Sequence, residues 1–391
     1  MNLLELSTKE ERINAVKEVV GTFKNVQLND KEMYFPFEQF DKLIEINYPS
    51  LVLPKSVGGL NIGLSELLKH QETIATVDAS TALGIGWHMG VASELPTQKN
   101  WHETTYEDVV TQIVTKGALI NNAASERATG SPTRGGKPQT TARRVPGGWM
   151  IKGRKTFTSL APILTYSVVT ATIAETNEVA QFLIRNNKTG VWIDETWDSI
   201  SMRSTGSHDL VLDDVHVTDL DYIKVEPDNR SRPRGWLLHI PACYLGIAQA
   251  AKEEAIQFAS SFSPVGVSGT LADLPTVQQK LGRMELQYMQ SSEYLYSIAR
   301  KWDEGNGDER ERLANELSVA KITVMNNGID IVDQAMRIVG ARSLSEQHPL
   351  QRHYRDIRAG LHNPPMEDVV LTNLAKRAIQ KSKERNNEAE V

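Results

Sequence analysis

Cysteine is all but missing from this chain of 391 residues: Cys243 is the only one. No intramolecular disulfide can form, which suits a reducing cytosol. Cys243 lies in the apolar run Ile240-Pro-Ala-Cys-Tyr-Leu-Gly-Ile-Ala and reads as a buried structural thiol. Long apolar stretches are missing too, so no segment is expected to span a bilayer. The opening Met1-Asn-Leu-Leu-Glu-Leu-Ser-Thr-Lys-Glu-Glu has neither the basic start nor the apolar core of a signal peptide. A cytoplasmic protein with no membrane partner is expected. Positive charge is not in excess: 43 Lys and Arg stand against 49 Asp and Glu, a formal net charge of -6, which argues against a nucleic-acid partner. The basic run Lys376, Arg377, Lys381, Lys383 and Arg385 reads as a solvated, fraying helix end. No metal-ligating cluster, internal repeat or low-complexity segment stands out.

What is present is an ordinary globular balance, 40% hydrophobic and 24% charged, in a chain long enough for two or three domains. Residues 7–118 read as mostly helical. Ser7-Thr-Lys-Glu can cap a first helix, Phe35 to Ile46 and Leu64 to Ala75 have helical spacing, and Asp78-Ala-Ser-Thr can start the next. From Leu119 short β-rich runs alternate with turns: 148–154, 166–171, 179–184, 190–193 and 209–217. Asp219 to Arg234 is charged, contains Pro227 and Pro233, and reads as a linker. Long amphipathic helices follow, over about 238–260, 277–302, 309–339 and 366–383. The expected fold class is α+β: an N-terminal helical domain (1–118), a middle β-sandwich or barrel (119–233) and a C-terminal up-down four-helix bundle (234–391).

Five local motifs, in order along that layout, resemble the acyl-CoA dehydrogenase superfamily. They are Ala124-Ser-Glu-Arg-Ala-Thr-Gly-Ser; Gly147-Gly-Trp-Met-Ile-Lys-Gly-Arg-Lys-Thr-Phe-Thr-Ser; Met202-Arg-Ser-Thr-Gly-Ser-His-Asp; Leu245-Gly-Ile-Ala-Gln-Ala; and Ala335-Met-Arg-Ile-Val-Gly-Ala leading to Arg355-Asp356. The resemblance implies a flavin cofactor, FAD or FMN. It places Asn122, Ala124, Ser125, Gly130 and Ser131 along the flavin ring edge and phosphates. It puts Phe157 against one ring face and the Ser159 hydroxyl at the reactive ring nitrogen. Arg337 and Gly340 are carried over as further flavin contacts. Read without the resemblance, Thr156 to Ser159 is simply an alternating strand.

The chain also departs from the family pattern. Its dehydrogenases use a Glu after the Arg-Asp pair to remove the acyl α-proton, since an unactivated C–H acid needs a base at the carbon. That position falls on Pro364, which has no proton-accepting side chain. The alternative family position, on the first bundle helix, falls near Trp236. Glu367 and Asp368 lie close by but open the next helix, where they suit its N-terminal dipole. The Arg that clamps the FAD diphosphate falls in Ser260 to Ala272, a loop without Arg or Lys, so looser flavin binding is expected.

The turn His362-Asn-Pro-Pro is instead similar to the dibenzothiophene monooxygenase-like branch, which uses reduced flavin from a separate reductase. That likeness implies His362, His88 and Ser159 around the place of oxygen activation. The plainer readings are a core histidine for His88 and a turn-stabilising one for His362. Two functions from the same superfamily therefore stand side by side. One is a two-component monooxygenase acting on a small organic substrate with a reductase partner. The other is an acyl-CoA dehydrogenase with Glu367 or Asp368 as a displaced base. A non-catalytic helical scaffold is the third possibility. The long apolar helix faces, with the resemblance, imply a homotetramer.

Overall fold

Thr8 and Glu11 start the first helix, α1 (Lys9–Val20), by a reciprocal cap. The Thr8 hydroxyl accepts from the Glu11 N–H at 3.2 Å, and the Glu11 carboxylate accepts from the Thr8 N–H at 2.9 Å. The structure, a computed structural model, describes residues 1–97, 100–130, 136–225, 232–266 and 268–389, with side chains through 386. Contacts divide the chain into two units, Met1–Ser231 and Arg232–Val391.

The first unit continues through α2 (Val26–Glu32), α3 (Phe37–Glu45), α4 (Leu64–Ala75), α5 (Ala79–Glu94) and α6 (Glu103–Lys116). Asp78 caps α5 by accepting from the Ser80 and Thr81 N–H groups at 3.1 and 3.2 Å. Nearly every residue of α5 from Ala79 to Ala92 is buried, which is the fate of a helix apolar all round. Gly84 lets it sit tight: a Cβ there would meet Leu160 Cδ2 at 2.7 Å. Thus α5 packs directly against the turn that carries Phe157 and Ser159.

Among the described residues eight strands follow: β1 (Ile120–Ala123), β2 (Thr141–Val145), β3 (Gly148–Lys155), β4 (Tyr166–Ile173), β5 (Val179–Arg185), β6 (Val191–Asp194), β7 (Asp209–Thr218) and β8 (Tyr222–Ile223). They join one hydrogen-bonded sheet in the order β6-β7-β3-β2-β4-β5-β8, with β1 beside β4. β1 runs parallel to β4, pairing Ile120 with Tyr166 and Ala123 with Val169. Alternation buries Ile151, Val169, Phe182, Leu212, Val215 and Val217 in the core of the sheet. Part of the expected linker belongs to this unit. Tyr222 pairs with Phe182, and the buried Asp221 accepts from Arg185 at 2.7 Å. Residues 226–231 of that linker lie outside the described residues.

The second unit contains α7 (His239–Ser261), α8 (Pro275–Glu304), α9 (Gly307–Arg312), α10 (Ala314–Val339), α11 (Pro349–Ile357) and α12 (Glu367–Ala389). The expected helix over 309–339 is broken at Leu313, where α9 ends. α7 buries Ile240, Cys243, Tyr244, Ile247 and Ala251, so the lone thiol is a core residue. α8 turns Val277, Met284, Leu295 and Ile298 inward at helical spacing. Gly328 allows close packing of α10, since a Cβ there would lie 3.2 Å from Ile357 Cδ1 and 3.8 Å from Ala248 Cβ. Among the described residues no helix is long and apolar enough to cross a membrane, and no cluster of residues could hold a metal ion.

Candidate functional site

The turn after β3 is held in an unusual backbone shape. Phe157 and Leu160 both take left-handed backbone, at φ of 55° and 68°. Backbone hydrogen bonds hold that shape: Thr158 N–H donates to His208 O at 3.1 Å and Leu160 N–H to Thr205 O at 3.0 Å. Gly206, at φ of 55°, permits the approach, because a Cβ there would sit 2.6 Å from Phe35 Cδ2. The result presents the Phe157 ring, 64% exposed, with its edge against Trp197 at 5.9 Å.

Two hydrogen bonds tie the 121–125 segment to this turn. Thr156 N–H donates to Ser125 O at 2.9 Å, and Asn121 Nδ2 donates to Ser159 O at 3.0 Å. Asn122, beside it on β1, donates its N–H to Asn121 Oδ1 at 2.7 Å. The Ala124 carbonyl accepts from the Thr170 hydroxyl at 3.5 Å. Gly130 has φ of 67°, exchanges backbone hydrogen bonds with Glu126, and has open space where a side chain would begin. Ser131 lies outside the described residues.

Beneath the turn runs a chain of three hydroxyls that the sequence did not reveal. Ser159 Oγ lies 2.9 Å from Ser207 Oγ, which lies 2.8 Å from Thr205 Oγ1; Thr205 then donates to Met202 O at 2.9 Å. Next to it, His208 Nδ1 accepts from the Trp197 N–H at 3.1 Å, so its proton sits on Nε2. Burial pushes the His208 imidazole below its ordinary value, which keeps it neutral at pH 7.

His88 differs from its expected catalytic role. Its Nδ1 accepts from the Ile120 N–H at 3.0 Å, so Nε2 carries the proton and donates to Pro49 O at 3.1 Å. Both ring nitrogens are thereby used by buried backbone, and no proton is left for a ligand. The imidazole ties α5 to β1 and to the 49–50 turn. Burial pushes its pKa down to about 4, so it is neutral in the fold. Because the folded value lies below the unfolded one, this contribution is intact above about 6.5 and is lost as pH falls toward about 4. His88→Leu should cost about 2–5 kcal/mol, since two buried backbone groups lose their partner. Urea unfolding at pH 7 measures it, and a cost below about 1 kcal/mol contradicts the assignment.

Glu126 and Lys155 form a buried ion pair at 2.6 Å between the 124–130 segment and β3. Glu126 also accepts from the Thr140 N–H at 3.0 Å, the Thr140 hydroxyl at 2.7 Å and the Gln139 N–H at 2.6 Å. Burial alone would raise its carboxyl, but Lys155 and these donors outweigh it and hold the pKa at about 2. Burial pushes the Lys155 ammonium down, against the pull of Glu126. A cleft of about 290 Å³ opens beside the pair, lined in part by Arg127, Gly153, Arg154 and Thr156. Arg154 donates to the buried Asp209 at 2.9 Å and to Asp194 at 2.7 Å.

In the second unit the turn 362–365 follows α11. His362 is exposed, and its N–H donates to Ala359 O at 2.9 Å. The buried Tyr244 of α7 donates its hydroxyl to Asn363 Oδ1. Burial raises that phenol well above 10, so it remains a donor. Glu367 Oε1 accepts from Asn326 Nδ2 at 3.0 Å, and Asp368 Oδ1 accepts from the Val369 N–H at 2.9 Å, as acids opening a helix do. Trp236, at the alternative position for a base, is buried and stacked on His239 at 5.7 Å. Arg337 and Gly340 are exposed at the end of α10.

Two parts of the chain match known sequence profiles. Residues 121–215 match the acyl-CoA dehydrogenase middle domain, and residues 238–362 match the acyl-CoA dehydrogenase C-terminal domain. The Bacillus subtilis (strain 168) protein named "Putative acyl-CoA dehydrogenase YdbM" is 46% identical over 353 residues, covering 90% of this chain and 92% of its own. The chain belongs to the acyl-CoA dehydrogenase superfamily. Two solved structures share the fold. FMN-bound TdsC from Paenibacillus sp. A11-2 has a TM-score of 0.82 at 23% identity, covering 90% of this chain and 93% of that one. Methanesulfinate monooxygenase MsuC from Pseudomonas fluorescens has a TM-score of 0.84 at 22% identity, covering 96% and 97%.

A flavin ring needs a flat apolar wall and partners for its polar edge. The exposed Phe157 ring, the Ser159 hydroxyl at the rim and the open space at Gly130 fit that requirement. The C-terminal match ends at His362, two residues before Pro364.

Proposed function

We propose that this chain is a flavin-dependent monooxygenase that receives reduced flavin, FMN or FAD, from a separate reductase and oxidises a small organic substrate. The flavin supplies two electrons, so that one atom of O2 enters the substrate and the other leaves as water. The observation that carries the reading is the turn after α11. By the family resemblance Pro364 falls where a dehydrogenase has its base, while Asn363 is held by Tyr244 and Glu367 and Asp368 are engaged at the start of α12.

In this reading Phe157 stacks on the flavin ring. Asn122, Ala124, Ser125 and Gly130 meet its polar edge and phosphate, and Ser159 meets the ring nitrogen. Arg337 and Gly340 are assigned to the phosphate end. His362 is the proton donor for oxygen chemistry, a task open to an imidazole N–H. His88 positions α5 and β1 and takes no part in proton transfer.

The test supplies FMN or FAD, NADH, a flavin reductase and 18O2, with a panel of sulfur-, nitrogen- and ring-containing small molecules. One labelled oxygen atom in a product is the expected result. Conversion of an acyl-CoA to its enoyl form with no label in any product contradicts it. That second reading, a dehydrogenase with Glu367 or Asp368 as base, is favoured by the Bacillus relative's name.

We assign the assembly as a homotetramer built through the second unit. Leu286 and Met289 on α8 and Leu371 and Ile379 on α12 are exposed in the single chain and support this. Light scattering should give four chain masses, and a stable monomer at micromolar concentration contradicts it.

A further inference from the structure

The three-hydroxyl chain has a fixed direction. A carbonyl oxygen only accepts, so the 2.9 Å bond from Thr205 to Met202 O uses the Thr205 proton. Thr205 can then meet Ser207 only as acceptor, which takes the Ser207 proton. Ser207 in turn can meet Ser159 only as acceptor, which takes the Ser159 proton. Each hydroxyl has one proton, and all three are committed inward. Exposure falls along the same path, from 9% at Ser159 to 6% at Ser207 and 1% at Thr205. Ser159, the outermost member, is left with lone pairs alone.

We propose that Thr205 and Ser207 orient the Ser159 hydroxyl as an obligate acceptor, so that the site selects the reduced form of the flavin over the oxidised form. This rests on the assignment of Ser159 to the reactive ring nitrogen. In oxidised flavin that nitrogen is a bare acceptor, and two acceptors facing each other leave both unpaired. In reduced flavin it carries a hydrogen and donates to Ser159. Thr205 and Ser207 are positioning residues: they touch no flavin atom, and they act only through the direction of one O–H bond. One neutral hydrogen bond made in one state and lost in the other corresponds to roughly tenfold in relative affinity.

The test compares dissociation constants of reduced and oxidised FMN, measured anaerobically, together with the midpoint potential of the bound flavin. The wild-type chain should bind reduced FMN at least about tenfold more tightly than oxidised FMN. Ser207→Ala frees the Ser159 proton to face the ligand. Thr205→Val keeps the side-chain shape but removes the acceptor for Ser207, which then turns its proton toward Ser159. Both variants should shrink the reduced-to-oxidised preference by about tenfold, and the potential should fall by about 30 mV for a two-electron couple. A purely structural role would weaken both redox forms alike and leave the ratio unmoved. A ratio unchanged within about twofold in either folded variant overturns the proposal. So does a wild-type chain that binds oxidised FMN as tightly as reduced, a result that needs no variant. Failure to bind FMN or FAD in either state overturns the flavin assignment along with it.

Discussion

Lys155→Met is expected to lower the stability of the fold by about 3–5 kcal/mol, because it strands a buried carboxylate. Glu126 is 4% exposed and Lys155 fully buried, and the two are paired at 2.6 Å. The backbone donors at Gln139 and Thr140 remain, which keeps the loss at this size rather than larger. Removing both charges in Glu126→Gln with Lys155→Met should recover a good part of the loss, since a buried pair owes much of its apparent worth to the damage done by breaking it. The pair also sets an acid limit. The Glu126 carboxyl is lowered from 4.5 to about 2, so its contribution is whole above about 4.5 and is lost progressively as pH falls toward 2. The lowered Lys155 works against the fold at neutral pH, so the net gain is smaller than the carboxyl shift alone implies. Urea unfolding of the wild type, both single variants and the double variant at pH 7 and pH 3 measures these terms. A loss under about 1 kcal/mol for Lys155→Met at pH 7 contradicts the account.

Acyl-CoA thioesters should be oxidised about 10²–10⁴-fold more slowly by this chain than by a dehydrogenase that carries the carboxylate, because general-base placement is worth about that much. Pro364 cannot accept a proton. His362 stands two residues earlier, on a turn whose next residue is tied to Tyr244. Glu367 is engaged with Asn326, and Asp368 with the backbone of Val369. Dye-linked turnover of short, medium and long acyl-CoAs, run beside a family dehydrogenase, gives the ratio. Comparable rates contradict the reading.

The long helices of the second unit and five of the eight described strands were legible because their periodicity is long and local, whereas the nine-residue α11 and the break between α9 and α10 were not. β1 was not, for Ile120-Asn-Asn-Ala carries no alternation, and its pairing is with β4 more than forty residues on. β2 alternates an inward Ala142 with the exposed Arg143 and Arg144, and β8 has two residues. The turn that holds Phe157 and Ser159 was singled out by likeness to known motifs. Thr205 and Ser207 could not be, because the bond that gives them meaning joins residues 48 apart. His88 shows the opposite case. A histidine on an apolar helix looks available until the Pro49 carbonyl and the Ile120 amide are seen to take both nitrogens. In the linker, the charged composition concealed a buried acid, Asp221, paired with Arg185.

On the proposed function the flavin is reduced by a separate reductase and not by an acyl-CoA. An anaerobic titration of the flavin-loaded chain with acyl-CoA thioesters of several lengths, followed at the visible flavin band, tests it directly. The account predicts that the band persists through every addition and then bleaches fully with dithionite or with a reductase and NADH. Prompt bleaching by any thioester, in proportion to the flavin present, would contradict it, restore a dehydrogenase, and make Glu367 and Asp368 the first residues to replace.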